Sequence, residues 1–559
     1  MSTQLHGISV SQGSASGAFL RVQPAPTWDP NEPGSSNPDA DLDTVKAAMN
    51  EVSARLQSRA NDAEGDMRDV LNATAMLAKD KSLLKSVKKS LEAGYGVTHA
   101  VHVAVENSAD TLRKLGGYMA QRVPDLYDVR DRVIALLRGA PEPGVPQLKE
   151  PVVLVADDLS PADTASLDAS RVLAIVTQAG GVLGHTAILA AMRGIPAVIQ
   201  VKGILGSLDG ATSLAVDGGS GDVIIDPSEQ EAHELIERAN RRDALLSHSS
   251  GPGTTADGHE VELLANIGTP DDARAAAKLD VAGIGLFRTE FLYLGRSSAP
   301  SEEEQYTTYL SVFKVMEPRK VVVRTLDAGA DKPLAFADLG KEANPALGKR
   351  GYRLAERIPD LLNTQLKALA RAQAETSAPV WVMAPMIATQ EEADNFVTAA
   401  HDAGLAHAGV MVEVPAAAIE ARHVLKNADF ASLGTNDLAQ YTMASDRLDG
   451  ELASLLDPWQ PGVLNMVARA CQGAQDTNTH LGVCGESGGD PLLALVLVGL
   501  GVQSLSMAPT KIPAVREALK MHSMAELTYL AQIATEAPTA HAAHDSVLTH
   551  VNPRIWDLL

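Results

Sequence analysis

Cysteine is almost missing from this chain of 559 residues: Cys471 and Cys484 are the only two. A disulfide framework is thereby excluded, and a reducing, cytoplasmic setting is expected. Long apolar runs are missing as well. The longest, around Leu492 to Val502, is shorter than a membrane span and holds Gly499 and Gly501, so no membrane insertion is expected. Met1 to Gly17 is polar and rich in Gly and Ser, with no basic flank before an apolar stretch; no signal peptide is expected. Positive charge is scarce. Lys and Arg number 47 against 70 Asp and Glu, a formal net charge of −23. Non-specific nucleic-acid binding needs basic patches that displace phosphate counterions, so nucleic acid is not an expected partner. An anionic substrate would need a local cluster of cations or a metal acting against the global field.

What is present falls into segments. Met1 to about Pro24 reads as short strands punctuated by Gly13 and Gly17, and Thr27 to Asp41, rich in Pro, Asn, Ser and Asp, reads as a loop. From Leu42 to about Arg138 apolar residues recur at helical spacing: Val45, Met49, Val52 and Leu56, then Met67, Val70, Leu71, Ala75 and Ala78. This predicts a helical bundle. Short apolar runs bounded by turns return at Val152–Val155, Val172–Val176, Ala197–Ile199 and Val223–Ile225. The expected organisation is an α/β domain over 1–228 with the helical bundle 42–138 inserted in it. A polar helical linker and hinge over 229–253 follows, then a C-terminal domain over 254–559.

In that last domain eight apolar strand candidates alternate with helical patterns: Val261–Ile267, Val281–Phe287, Val321–Leu326, Val380–Met386, Val410–Val414, Phe430–Leu433, Leu481–Cys484 and Ser504–Met507. The count matches a (β/α)8 barrel, with an open doubly wound sheet as the alternative. Charged residues cluster at or just after the C-terminal ends of the candidates, where barrels carry active sites, and this favours the barrel. Arg288 and Glu290 follow the second candidate; Arg324 lies in the third, with Asp327 and Lys332 after it; Glu413 is next to last in the fifth; Asn436, Asp437 and Arg447 follow the sixth; and Cys484 ends the seventh, with Glu486 after it. Taken singly, Glu413 or Asp437 reads as a cap or salt-bridge partner and Cys484 as a small buried apolar residue. Taken together on one rim, two carboxylates can hold Mg²⁺ through hard oxygen ligands. Arg288, Arg324, Arg447 and Lys332 can neutralise a phosphate and a carboxylate at once, the arginines through their planar forks.

A second centre is the run Gly180-Gly181-Val182-Leu183-Gly184-His185-Thr186-Ala187, which follows the strand Val172–Val176 and opens a helical pattern. Glycines before a helix let backbone N–H groups approach a phosphate, and the helix N-terminus favours negative charge. A neutral imidazole there can attack phosphorus and hold the group as a reactive N–P bond. In isolation the same run would read as a histidine capping a helix.

The runs Gly285–Glu290, Arg324–Lys332, Asn344–Gly348, Gly434–Asp437 with Gln440-Tyr441-Thr442, Cys484-Gly485-Glu486 and Gly180–Leu189 resemble the phosphoenolpyruvate-utilising enzymes, and among them Enzyme I of the bacterial sugar phosphotransferase system. The resemblance covers nearly the whole chain. It implies that phosphoenolpyruvate is bound by Arg288, Arg324, Asn436, Asp437, Arg447 and Lys332, and that Mg²⁺ is bound by Glu413 and Asp437. It further implies that His185 carries the phosphoryl group, that Thr164 supports it, and that Cys484 protonates the enolate carbon. The carrier protein HPr would dock on the inserted bundle, where Asp128-Val129-Arg130-Asp131 matches, and the barrel would form a homodimer. The chain departs from the usual pattern at Leu183 and Gly184, where Thr-Ser is common, and at Ala191, where Arg is common; Arg193 lies two positions on. At this length the nucleotide-binding domain of the dikinase and synthase relatives is not expected, nor is an added sensory domain at the N-terminus. Two other readings stay open on the residues alone. One is a barrel lyase or aldolase using Mg²⁺ at Glu413 and Asp437. The other is a regulatory paralogue that transfers phosphate poorly.

Overall fold

The computed structural model describes residues 2–22, 26–62, 66–115, 122–146, 148–159, 167, 169–181, 185–294, 296–329, 334, 336, 342–447 and 450–559. The chain divides into two compact units, Met1–Asp243 and Ala244–Leu559.

In the first unit, β1 (Thr3–His6), β2 (Ile8–Ser11), β3 (Ser14–Arg21), β4 (Val152–Ala156), β5 (Val172–Thr177), β6 (Ala197–Ile199), β7 (Ser213–Asp217) and β8 (Asp222–Ile225) form one sheet, ordered β1-β8-β7-β3-β4-β5-β6-β2. β3 is long enough for two partners: Ser14–Ala18 pairs antiparallel with β7 and Phe19–Arg21 parallel with β4. β1 and β2 stand at opposite edges of this order although Gly7 alone separates them, so the sheet must curl until its edges approach. Gly7 fits that corner, because a Cβ would lie 2.5 Å from the Ile199 carbonyl oxygen. Gly17, expected in a turn, lies inside β3, where its missing side chain admits Leu173. Strand alternation sends Val153 and Val155 to one apolar cluster and Leu154 and Ala156 to another.

Between β3 and β4 runs the helical bundle, with helices at Pro38–Asp62, Asp66–Leu77, Lys81–Glu92, Val97–Leu115 and Val123–Leu137. Val45, Met49, Val52 and Leu56, at helical spacing, share one buried face with Leu71, Ala75 and Ala78. The first helix starts earlier than composition suggests. Pro38 occupies its first turn, where the missing N–H costs nothing, and the Asn37 side chain accepts the Ala40 N–H at 3.3 Å.

The helix Glu229–Ser247 is held on the first unit by a buried fork. Arg242 donates to both Asp217 carboxylate oxygens at 2.9 and 2.7 Å. Burial alone pushes the Asp217 carboxyl up, but the Arg242 fork and the Gly219 N–H outweigh it and hold the group below the usual range. Gly219 is required beside this pair, since a Cβ would strike the guanidinium at 2.1 Å.

In the second unit eight parallel strands close on themselves: β10 (Glu260–Ile267), β11 (Gly283–Arg288), β12 (Lys320–Arg324), β13 (Val380–Ala384), β14 (His407–Val412), β15 (Phe430–Leu433), β16 (His480–Val483) and β17 (Ser504–Met507). Each pairs with the next, β17 returns to β10, and the short β9 (Gly253–Thr254) adds antiparallel to the start of β10. All eight overlap the runs read from the sequence. The largest offset is β14, which starts three residues earlier than Val410 and ends before Glu413. The two-residue period sorts side chains: Val321, Val323, Val382, Val410 and Val412 pack outward against helices, while Leu286, Val322, Met383, Met411 and Cys484 fill the interior.

Removing one partner of a buried ion pair leaves the other charge uncompensated, at about 3–5 kcal/mol. Arg242→Met is therefore expected to lower the unfolding transition of the first unit by that amount, while Arg242→Lys retains part of it. The stabilisation is present at neutral pH and lost as pH falls through the depressed Asp217 value. Calorimetry of the full chain, with two resolved transitions, checks both points.

Candidate functional site

Each strand of a parallel barrel delivers its last residue to the same rim. β11 ends on Arg288 and β12 on Arg324; Glu413 follows β14, and Cys484 follows β16. After β15 the chain turns at Gly434 into the helix Thr435–Met443, whose first turn carries Asn436 and Asp437, and Arg447 follows that helix. The structure thus brings Arg288, Arg324, Glu413, Asn436, Asp437, Arg447 and Cys484 to one end of the barrel. Lys332 and Thr164 lie outside the described residues.

The rim is organised by two buried guanidiniums. Arg324 is paired with Glu290 and with Asp327 Oδ2 at 3.1 Å, and its Nη1 lies 4.0 Å from the Met411 sulfur. Its Nε has no hydrogen-bond partner among the described residues. Arg350 reaches in from the segment between β12 and β13. It donates through Nη1 to Asp437 Oδ1 at 2.8 Å and through Nη2 to Asp327 Oδ2 at 3.1 Å. Its Nη1 also donates to the Tyr441 hydroxyl at 3.3 Å, and Tyr441 donates to the Ala346 carbonyl. Burial opposes the charge on both arginines, and the surrounding carboxylates more than restore it. Arg447 stands half-buried at the edge, with its guanidinium 3.6 Å from Asp437 Oδ2 and its backbone N–H on Gln440 Oε1 at 3.1 Å. Asn344, Leu347, Arg350, Gln440, Tyr441 and Arg447 border a cavity of about 560 Å³ beside these groups.

Arg350 is a site residue that sequence reading does not single out. It sits in a segment without regular pattern, and only its burial together with two carboxylates reveals it. The run Asn344–Arg350 is the one signal that points to it.

Glu413 is fully buried, and its Oε1 accepts the Met386 N–H at 2.7 Å. Met386 adopts a φ of +64°, costly for a residue with a side chain, and this aims its N–H at the carboxylate. Burial first, then Asp437 and Asp327, push the Glu413 carboxyl up to about 8. The excess of negative charge and the hard oxygen donors fit a divalent cation such as Mg²⁺, which needs only one or two carboxylates beside water and substrate oxygens. Close approach explains two glycines of the rim. A Cβ on Gly434 would lie 2.6 Å from Glu413 Oε2, and one on Gly485 would lie 1.9 Å from Thr435 Oγ1. Cys484 donates its thiol to the Leu433 carbonyl at 3.5 Å, and burial pushes it up to about 11, so the sulfur keeps its proton at neutral pH.

In the first unit His185 is the first residue of the helix His185–Arg193, directly after the glycine run; nothing of its side chain is described. The start of that helix is tied down by Asp158. Its Oδ1 accepts the Leu159 N–H at 2.8 Å and the Thr186 hydroxyl at 3.2 Å. Gly180, at φ +98°, brings the preceding loop to Asp158. Leu183 and Gly184 lie outside the described residues. Ala191 is exposed, and Arg193 donates to the Leu167 carbonyl at the far end of the helix from His185.

Three family profiles match the chain in order: PEP-utilising enzyme, N-terminal, over residues 6–122; PEP-utilising enzyme, mobile domain, over 148–221; and PEP-utilising enzyme, PEP-binding domain, over 245–524. The chain is 46% identical over 546 residues to a protein of Streptomyces coelicolor called phosphoenolpyruvate-protein phosphotransferase, covering 97% of this chain and 98% of that one. Proteins of the same name from Haloferax volcanii (38% identical, 89% of each chain) and Bacillus subtilis (36%, 91% of this chain and 93% of that one) are also similar.

A carboxyl raised in the folded state destabilises that state. The effect is absent below the unfolded value of 4.5 and complete above about 8. In metal-free protein, Glu413→Gln is expected to raise the melting temperature of the second unit at about pH 9, with a gain that shrinks towards about pH 5. A gain independent of pH would assign the effect to packing instead.

Proposed function

The chain belongs to the phosphoenolpyruvate-utilising enzymes, and from that premise we propose that it is a phosphoenolpyruvate-protein phosphotransferase that moves a phosphoryl group from phosphoenolpyruvate to its own His185 and then to a small carrier protein, HPr. What carries the reading is the convergence of Arg288, Arg324, Glu413, Asp437 and Cys484 on one barrel rim, in a chain 46% identical over 97% of its length to a protein of that name.

Arg288, Arg324, Arg447 and Lys332 hold the phosphate and carboxylate of the substrate, with Asn436 and Asp437 orienting it at the rim. Glu413 and Asp437 would hold Mg²⁺, which supplies charge neutralisation on phosphate and enolate oxygens. A nitrogen of His185 attacks phosphorus from about 3–3.5 Å, forming the N–P bond as the bond from phosphorus to the enol oxygen breaks. The enolate carbon takes the proton of the Cys484 thiol, giving pyruvate, and the thiolate recovers a proton from solvent. Thr164 steadies the His185 imidazole. The bundle 42–138 receives the carrier; the exposed Met76 and Tyr95 of that segment support this. The segment 229–253 serves as the hinge that lets His185 serve both partners in turn. The protein works in the cytoplasm, in keeping with two free buried thiols; among the described residues no helix is long and apolar enough to cross a membrane. It acts as a homodimer through the barrel, where Phe291 and Trp556 leave large apolar surfaces in solvent.

Incubation with radiolabelled phosphoenolpyruvate and Mg²⁺ is expected to give acid-labile, base-stable phosphohistidine. His185→Ala should abolish the label while phosphoenolpyruvate binding, followed by calorimetry, changes less than about threefold, since the substrate groups all lie on the barrel. Label retained by His185→Ala would falsify the assignment of the carrier residue.

A further inference from the structure

Beneath the rim lies a buried polar network with no part in the chemistry above. The Gln365 side chain, on the helix Pro359–Gln373, is fully buried. Its Oε1 accepts the Leu326 N–H at 2.9 Å. Its Nε2 donates to Thr289 Oγ1 at 3.1 Å and to the Tyr309 hydroxyl at 3.0 Å. Thr289 in turn donates to the Arg324 carbonyl at 2.8 Å. Tyr309 and Tyr293 both donate to Gln305 Oε1, at 3.1 and 2.8 Å, and Gln305 Nε2 donates to the Pro300 carbonyl at 3.1 Å.

Every direction in this chain is forced. The Leu326 N–H can only donate, so Oε1 must face it and Nε2 must face the two hydroxyls. Each hydroxyl has already given its proton onward, so each must accept from Gln365. The connected elements matter for function. Thr289 stands between Arg288 and Glu290, while Leu326 lies between Arg324 and Asp327. β12 ends at Arg324, so the Leu326 N–H has no strand partner and Gln365 takes its place. One amide therefore ties the loop after β11 to the loop after β12. Those loops start directly after Arg288 and Arg324, which are partners in the ladder, and carry Glu290 and Asp327, the two carboxylates paired with Arg324.

We propose that Gln365 is a positioning residue for phosphoenolpyruvate: by holding the loops that carry Glu290 and Asp327, it fixes the aim of the Arg324 guanidinium beside Arg288, its partner in the ladder. The inference rests on the proposed assignment of those arginines to the substrate. Without the amide the buried Leu326 N–H is unpaired, and the Thr289 and Tyr309 hydroxyls keep their onward bonds but lose the donor that joins them to Leu326, so the loops are free to drift; a displacement of the order of 1 Å in a bidentate anion site costs binding strongly.

The test follows single-turnover self-phosphorylation of the full chain against phosphoenolpyruvate concentration for wild type, Gln365→Met and Gln365→Glu, with the half-saturating concentration as KM and the limiting rate as kcat. Gln365→Met is expected to raise KM about tenfold or more, with kcat within about threefold. Gln365→Glu adds a readout that loss of packing does not move. The carboxyl it introduces offers one donor and one acceptor while protonated, and acceptors only once ionised. The ratio of its KM to that of wild type should therefore rise with pH, while the corresponding ratio for Gln365→Met stays flat. If Gln365→Met does not fold, the pH trend of Gln365→Glu alone decides. Unchanged KM in a folded Gln365→Met, or a flat Gln365→Glu ratio, overturns the inference. Wild-type protein that takes no label from phosphoenolpyruvate would instead overturn the functional assignment beneath it.

Discussion

The barrel rim depends on one electrostatic imbalance. Among the described residues Arg324 and Arg350 are buried with Glu290, Asp327, Glu413 and Asp437, two enclosed cations against four carboxyl groups, with Arg288 at the end of the neighbouring strand. Such a cluster is stable only if a proton, a metal or further cations enter it. The upward push on Glu413 expresses the shortfall, and Arg447 at the edge of Asp437 reduces it from outside. A substrate with a phosphate and a carboxylate would deepen the deficit unless a divalent ion came with it. Metal and substrate are thus expected to bind cooperatively. The chain's overall acidity, unsuited by itself to an anionic ligand, is offset at this rim, where strand ends aim arginines inward.

Those arginines can be held in place because the surrounding geometry is over-determined. Glycines at 434 and 485 allow backbone and side chains to approach within distances that any Cβ would forbid. Met386 is held in a left-handed conformation to satisfy Glu413. The Gln365 amide supplies the cross-link between two loops that leave the sheet. The rim is closely packed around its buried carboxylates and guanidiniums, and a cavity bordered by Tyr441 and Arg447 lies beside it.

Much of this is legible in the sequence, and for identifiable reasons. Buried parallel strands read as short apolar runs, so all eight barrel strands are recognisable, and residues at their ends inherit a common location from the topology. The helical spacing of Val45, Met49, Val52 and Leu56 marks the bundle's buried face. Other features depend on contacts distant in sequence. Arg350 lies in a segment with no periodicity, and its importance comes from Asp437, 87 residues away. Gln365 looks like an ordinary polar position on an amphipathic helix until its partners at 289, 309 and 326 are seen together. Gly17 reads as a turn because glycine punctuates strands, yet here it makes room for Leu173.

The insertion point of the helical bundle has an evolutionary consequence. β3 and β4 are neighbours running parallel, so the chain between them must travel back along the sheet, a crossing that takes roughly a dozen residues or more. In this protein the crossing is a whole helical bundle, Pro38 to Leu137. The sheet needs the return path but not the helices. A lineage could therefore enlarge, trim or exchange the bundle without disturbing the strand order or the helix that begins at His185.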